Sequence, residues 1–162
     1  VRGHLGLGSN EGDRLATLRA ARDALDRCPR ITVAAASSVY ETAPQGEVPD
    51  QQDFLNAVVA VDTELAPEQL LDVCKRIESH LGRPPGGRRH GPRPIDIDLL
   101  LLGGLELRTE RLVLPHPEVT ARRFVLEPLL EVEPDLMLRG PTALPALLDA
   151  VRGQPVRRVG PL

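Results

Sequence analysis

Residues 31–42 and 53–63 both alternate apolar and polar side chains as strands do, and only ten residues, 43–52, lie between them. That short connection constrains the fold more than any other feature of the chain. A parallel crossover needs about a dozen residues or more, usually including a helix. Residues 43–52 hold two prolines, a glycine and several polar side chains instead. The two strands are therefore expected to be antiparallel neighbours.

The flanking segments extend this start. Residues 1–9 read as a short, glycine-spaced strand, and residues 10–13 as a turn with helix-capping side chains. Leu15, Leu18, Ala21 and Leu25 recur at helical spacing through residues 14–27, and Cys28-Pro29 ends that helix. After the third strand, Pro67 suits the first turn of a helix running to Leu81, with Gly82 just past its end. Leu70, Cys74, Ile77 and Leu81 would be its buried stripe. Residues 95–99 supply a fourth strand. Strand, helix, strand, strand, helix, strand is the order of a ferredoxin-like α+β sandwich with a mainly antiparallel sheet. C-terminal additions follow: a turn at Gly103-Gly104 into a short hairpin strand at 105–107, a helix around 121–130, and a last helix at 142–151. The tail after Gly153 is weakly specified. A chain of 162 residues is expected to form one domain, residues 1–162.

This order also disposes of a decoy. Gly6, Gly8 and Gly12 follow a strand and open a helix, and Glu41 ends the next strand, which hints at dinucleotide binding. The glycine spacing is one residue too long for that fingerprint, and the third strand runs the wrong way.

The chemistry concentrates in residues 82–101, GRPPGGRRHGPRPIDIDLLL. The first half is a loop with Arg83, Arg88, Arg89, His90 and Arg93 and no acid. In the strand that follows, Asp96 and Asp98 share one face while Ile95, Ile97 and Leu99 take the other. Two strand residues separate the aspartate Cα atoms by about 6.5–7 Å. Paired carboxylates suit a hard cation such as Mg²⁺, and neighbouring guanidinium groups suit a polyphosphate. The simpler alternatives are a solvated acidic face and a solvated basic loop. Two features favour chemistry: the strand is otherwise strongly apolar, and it follows four arginines. Glycines and prolines together suit a lid that closes over phosphates. The only lysine, Lys75, falls inside a helix, so a P-loop is excluded. Asn56, inward on its strand, needs partners for its amide; an amide-edged heterocycle would supply them, and so would local backbone. His116 and Arg122 lie in a proline-bounded stretch, and a lone histidine there is more often structural.

Charge and composition limit the function classes. A net charge of −3 argues against bulk nucleic-acid or membrane-surface binding. Three aromatic residues, Tyr40, Phe54 and Phe124, leave little for stacking on RNA. Cys28 and Cys74 lie far apart and form no metal motif; free thiols in a reducing cytoplasm are the expectation, with a single disulfide as the alternative. No apolar run is long enough to span a bilayer, and the N-terminus lacks a signal-peptide layout.

Taken together, the motifs resemble the 6-hydroxymethyl-7,8-dihydropterin pyrophosphokinase family. They are Gly8-Ser9-Asn10, the run from Ser37 to Pro44, Asp53-Phe54-Leu55-Asn56-Ala57, Arg76-Ile77-Glu78 with Gly82-Arg83, Leu114-Pro115-His116-Pro117 and Arg122-Arg123-Phe124. The most specific is Arg89-His90-Gly91-Pro92-Arg93-Pro94-Ile95-Asp96-Ile97-Asp98, similar to a [KR]-x-G-P-R-x-x-D-[IVL]-D signature. The resemblance implies transfer of the pyrophosphoryl group of ATP to the pterin's hydroxymethyl oxygen, giving AMP and the pterin diphosphate for folate synthesis. It implies two Mg²⁺ ions on Asp96 and Asp98, and catalytic roles for Arg83, Arg93, Asp96 and Asp98. ATP contacts would come from Lys75, Glu78, Arg83, Arg89, His90, Arg93, Leu99, Arg111, His116 and Arg122. Pterin contacts would come from Thr42, Ala43, Pro44, Asn56, Asp96 and Phe124, with Phe124 as a stacking face. It further implies a monomer whose partners are its small-molecule substrates; the cytoplasmic expectation rests on the cysteine usage and the apolar and N-terminal patterns above. The competing reading is a non-catalytic ferredoxin-like binding module.

The chain departs from the family pattern at four positions. Pro85 stands in place of a second lid arginine, His90 in place of a tryptophan, Pro117 in place of a tyrosine and Ala43 in place of a proline. These bear on lid closure; Arg88 and Arg89 are the candidates to replace the missing arginine.

Overall fold

The computed structural model describes residues 1–44, 50–83, 92–136 and 144–162. The first half contains β1 (Arg2–Ser9), α1 (Arg14–Arg27), β2 (Ile31–Ala36), β3 (Ser38–Thr42), β4 (Phe54–Thr63), α2 (Pro67–His80) and β5 (Asp96–Leu102). Then come β6 (Leu107–Arg108), β7 (Val113–Leu114), α3 (Arg123–Val132), α4 (Leu144–Ala150) and β8 (Arg157–Pro161). The main sheet runs β5-β1-β4-β3-β8, with β2 also on β4. Its pairings are antiparallel, as the short connection between β3 and β4 requires. This is the expected ferredoxin-like core.

Alternation within the strands divides the molecule into two layers. Leu5, Leu7, Ala57, Val59, Ile97 and Leu99 face α1 and α2, and pack with Leu18, Ala21, Leu25, Leu70 and Cys74. The opposite face of the sheet carries Val58, Leu100 and Leu101 against Val119, Leu126 and Leu129 from the α3 region. Leu100 and Leu101 both join this second layer where the β1–β5 register shifts between His4 and Leu5. α3 covers only part of that face, and the cavity described below opens beside it.

Local signals explain the helix ends. Asp13 caps α1 by accepting from the Ala16 N–H at 3.1 Å. At the end of α2, Gly82 takes φ +101°, a conformation that favours glycine. The Gly82 N–H then reaches the Ser79 carbonyl at 3.1 Å, and the Arg83 N–H reaches the Glu78 carbonyl at 3.0 Å. This paired closure aims Arg83 back along the helix.

Three segments differ from expectation. Residues 31–42 form two strands, because Ser37 interrupts the ladder: its hydroxyl accepts from the Val58 N–H at 2.9 Å. The strand after Gly103-Gly104 is Leu107–Arg108, and it pairs with Val113–Leu114. The tail, weakly specified by the sequence, forms β8, which adds to the β3 edge. Both cysteines are free thiols. Among the described residues, no helix is long and apolar enough to cross a membrane.

Candidate active site

The floor of the cavity is set by strand register. Gly8 pairs with Asp96 on one side and Asn56 on the other, and Asn56 pairs with Tyr40. One row across four strands therefore reads Asp96, Gly8, Asn56, Tyr40. The next row reads Asp98, Gly6, Val58. Adjacent strands lie about 4.8 Å apart, so the Asp96 and Asn56 backbones sit about 10 Å apart across Gly8. Because Gly6 and Gly8 have no side chains, the centre of the floor is bare. A Cβ on Gly8 would lie 3.3 Å from Asn56 Oδ1, and one on Gly6 would lie 3.5 Å from the Leu100 side chain.

The walls enclose a cavity of about 110 Å³. Phe54, at the start of β4, and Phe124, in the first turn of α3, both line it. An arginine stands over each ring: Arg93 Cζ is 6.0 Å from the Phe54 centroid, and Arg122 Cζ is 5.6 Å from the Phe124 centroid. Thr42 and Ala43 close the end near Asn56. Asn56 Nδ2 donates to Thr42 Oγ1 at 2.9 Å and to the Tyr40 carbonyl at 3.4 Å, which fixes the amide's orientation. Tyr40 holds the wall from behind: its hydroxyl donates to Glu131 of α3 at 2.7 Å. All three aromatic residues of the chain thus serve this cavity or its support.

Acids and arginines meet at the opposite end. Arg83 Nη1 donates to Asp96 Oδ1 at 2.7 Å and to Glu78 Oε2 at 3.0 Å, and Arg93 Nη1 lies 3.6 Å from Asp96 Oδ2. Burial alone would lower the Arg83 pKa; Glu78 and Asp96 outweigh it and raise it. Glu78 is buried, yet it accepts from Lys75 at 3.3 Å and from the Ile97 N–H at 2.7 Å besides Arg83. It therefore ties α2 to β5, directly behind the aspartates. Burial, with Asp96 and Glu78 nearby, pushes the Asp98 carboxyl up to about 7. Asn10 sets the Arg93 backbone: its Oδ1 accepts from the Arg93 N–H at 2.8 Å, and its own N–H donates to the Arg93 carbonyl at 3.1 Å.

Among the described residues, no group of three or more His, Cys, Asp or Glu side chains is arranged to hold a metal ion. The donor set still suits Mg²⁺, which takes one or two carboxylates and completes its shell with phosphate oxygens and water. A carboxyl raised by burial and by the charge of its neighbours is one whose ionised form a cation would stabilise.

Of the residues singled out from the sequence, Thr42, Ala43, Asn56, Arg93, Asp96, Asp98, Arg122 and Phe124 line this cavity together. Arg83, Glu78 and Lys75 stand at its acidic end through the contacts above. His116 lies beside this region; burial, and then Arg122, lower its pKa, and its Nδ1 accepts from the Glu118 N–H at 3.1 Å. Leu99 points its side chain into the α1/α2 layer, away from the cavity. Arg111 is held on the outer face of α2 by Glu68 and Asp72 at 2.8 and 2.7 Å. Pro44 does not line the cavity. Arg89 and His90 fall outside the described residues, as do Pro85 and Arg88. Sequence reasoning named Phe54, Gly8 and Asn10 only within motifs and Gly6 only within the decoy, and gave none of them a place in the site.

The comparisons with known proteins agree with one another. The family model for 7,8-dihydro-6-hydroxymethylpterin-pyrophosphokinase matches residues 4–134. A 2-amino-4-hydroxy-6-hydroxymethyldihydropteridine pyrophosphokinase from Methylorubrum extorquens is 53% identical over 147 residues, covering 91% of this chain and 92% of the relative. One of the same name from Pseudomonas aeruginosa is 41% identical over 156 residues, 96% of this chain and 95% of the relative. Among solved structures, a Plasmodium falciparum HPPK-DHPS with pteroate matches with a TM-score of 0.72 at 15% identity, covering 92% of this chain. This chain spans 42% of that longer one, and the likeness speaks for the fold alone.

Proposed function

Because the chain belongs to the 7,8-dihydro-6-hydroxymethylpterin-pyrophosphokinase family, we propose that its cavity takes the pterin and its acid–arginine end takes the phosphates of ATP. The enzyme transfers the pyrophosphoryl group of ATP to the pterin's hydroxymethyl oxygen, and AMP leaves. The observation that carries this reading is the row Asp96–Gly8–Asn56 beneath two phenylalanines. It offers an amide for the pterin's amide edge at one end, a bare floor for a flat bicyclic ring, and carboxylates with guanidinium groups at the other.

The chemistry follows from that layout. The hydroxymethyl oxygen forms a bond to the β-phosphorus, and the bond from that phosphorus to the α,β-bridging oxygen breaks. The proton of the hydroxyl is lost, and the electron pair of the broken bond stays on AMP. Phe54 and Phe124 hold the ring, and Asn56 fixes which edge faces inward. Orienting two bound substrates in this way is worth up to about 7–11 kcal/mol of the barrier. Arg93 and Arg83 meet the phosphate oxygens, where charge spreads as the group transfers. Both arginines now contact Asp96, and Arg83 also contacts Glu78, so an arriving polyphosphate replaces the Asp96 anion with another and frees that carboxylate. Asp96 and Asp98 would hold Mg²⁺, which when bound neutralises phosphate charge. Two free thiols, Cys28 and Cys74, support a reducing compartment, the cytoplasm.

Asp96→Ala and Asp98→Ala test the assignment. Each is expected to abolish turnover while the circular dichroism spectrum stays that of the parent. Near-normal turnover by either variant would sink the metal-binding role.

A further inference from the structure

Gln154, outside the matched span of residues 4–134, grips the start of α3 from the C-terminal segment. Its Oε1 accepts from the Arg123 N–H at 2.9 Å, and its Nε2 donates to the Ala121 carbonyl at 2.9 Å. One side-chain amide therefore holds the backbone on both sides of Arg122. The Arg123 guanidinium completes the grip, donating through Nη1 to the carbonyls of Arg152 and Gln154, each at 3.0 Å.

This grip acts where the helix holds itself least. The first N–H groups of a helix have no partner within it, and the residue preceding α3, Arg122, supplies no side-chain cap. Pro128, inside α3, brings no N–H to the Phe124 carbonyl four residues back. The two cavity-lining residues Arg122 and Phe124 thus sit on a turn that depends on a partner from outside. That partner is itself secured: Val151 packs in the same apolar cluster as Leu126 and Leu129, and the Gln154 N–H closes a turn on the Val151 carbonyl at 2.9 Å.

We infer that Gln154 is a positioning residue, through which the C-terminal segment places Phe124 and Arg122 and so sets affinity for the pterin. The inference rests on the reading of the cavity as the pterin site. Gln154→Ala is expected to raise the KM for the hydroxymethyl-dihydropterin about five- to tenfold, the scale of one or two lost hydrogen bonds. The KM for ATP, which Arg122 also contacts by the family resemblance, should rise less than that for the pterin, because Arg83 and Arg93 keep their own contacts with Glu78 and Asp96. Gln154→Glu keeps the acceptor for the Arg123 N–H and should recover part of the loss. Amide hydrogen exchange gives a readout independent of activity: the Arg123 amide should exchange faster in Gln154→Ala while amides of β1 and β4 do not change. A pterin KM equal to that of an active parent, or an unchanged Arg123 exchange rate, overturns the inference. Equal rises in both KM values, with faster exchange throughout, would mark a general structural role and overturn it too. A parent that turns over no pterin at all overturns the cavity reading itself, and with it the pterin half of the inference; the exchange rates would still decide the grip.

Discussion

Asp96 and Asn56 occupy one register row of the sheet, with Gly8 alone between them. The distance between this acid and this amide is thus fixed by two backbone ladders rather than by flexible side chains. Gly8→Ala tests the need for a bare floor. The new methyl would stand 3.3 Å from Asn56 Oδ1 and 3.6 Å from the Phe54 ring. Steady-state kinetics should show the pterin KM raised about tenfold, the effect of about 1.4 kcal/mol of lost binding, with the ATP KM nearly unchanged.

The two phenylalanines should contribute separately. Phe54→Ala and Phe124→Ala each remove a ring face and its buried area, and each should weaken pterin binding by about tenfold or more. Calorimetric titration of pterin into enzyme holding a non-hydrolysable ATP analogue checks this. Unchanged affinity in Phe54→Ala would remove that ring from the site.

Asn10→Ala tests how Arg93 is placed. The variant loses the 2.8 Å bond from the Arg93 N–H and the two bonds that Asn10 Nδ2 makes to Gln51 and the Gln52 carbonyl. A loss of about 1 kcal/mol of positioning corresponds to a roughly fivefold fall in kcat. Pterin affinity should change less, because Asn56 and Phe124 keep their own supports.

Much of this was legible in the sequence. Period-two alternation put Asp96 and Asp98 on one face, and Pro67 with Gly82 bounded α2 correctly. Other features were readable but passed over. Gly6 and Gly8 alternate with Leu5 and Leu7, which already describes a strand with one packed face and one bare face. Phe54 is two residues from Asn56 and so shares its face. The break at Ser37 was not readable, because it depends on a hydroxyl meeting a backbone N–H from β4. Neither was β8: Arg157–Pro161 has little strand propensity, and its state comes from pairing with β3. Gln154 is invisible for the same reason, since its partners lie about thirty residues earlier in the chain.

Acid should loosen the wall behind the cavity. Burial by itself would raise the Glu131 pKa, but hydrogen bonds from Tyr40 and Ser38 outweigh it and hold the carboxyl below its ordinary 4.5. A folded-state pKa below the unfolded one gives stability that is present above the unfolded value and lost as pH falls through the folded one. Thermal unfolding followed from pH 6 to pH 3 should show a falling Tm. The fall should be smaller in Glu131→Gln, which has no carboxylate to protonate there. Parallel curves for the two proteins would assign the acid sensitivity elsewhere.

The most direct test of pyrophosphoryl transfer is the identity of the nucleotide product. The protein is incubated with ATP, Mg²⁺ and 6-hydroxymethyl-7,8-dihydropterin, and the nucleotides are separated and identified. The account predicts AMP in equal amount to pterin diphosphate. ADP with a pterin monophosphate would contradict it, as would ATP left intact.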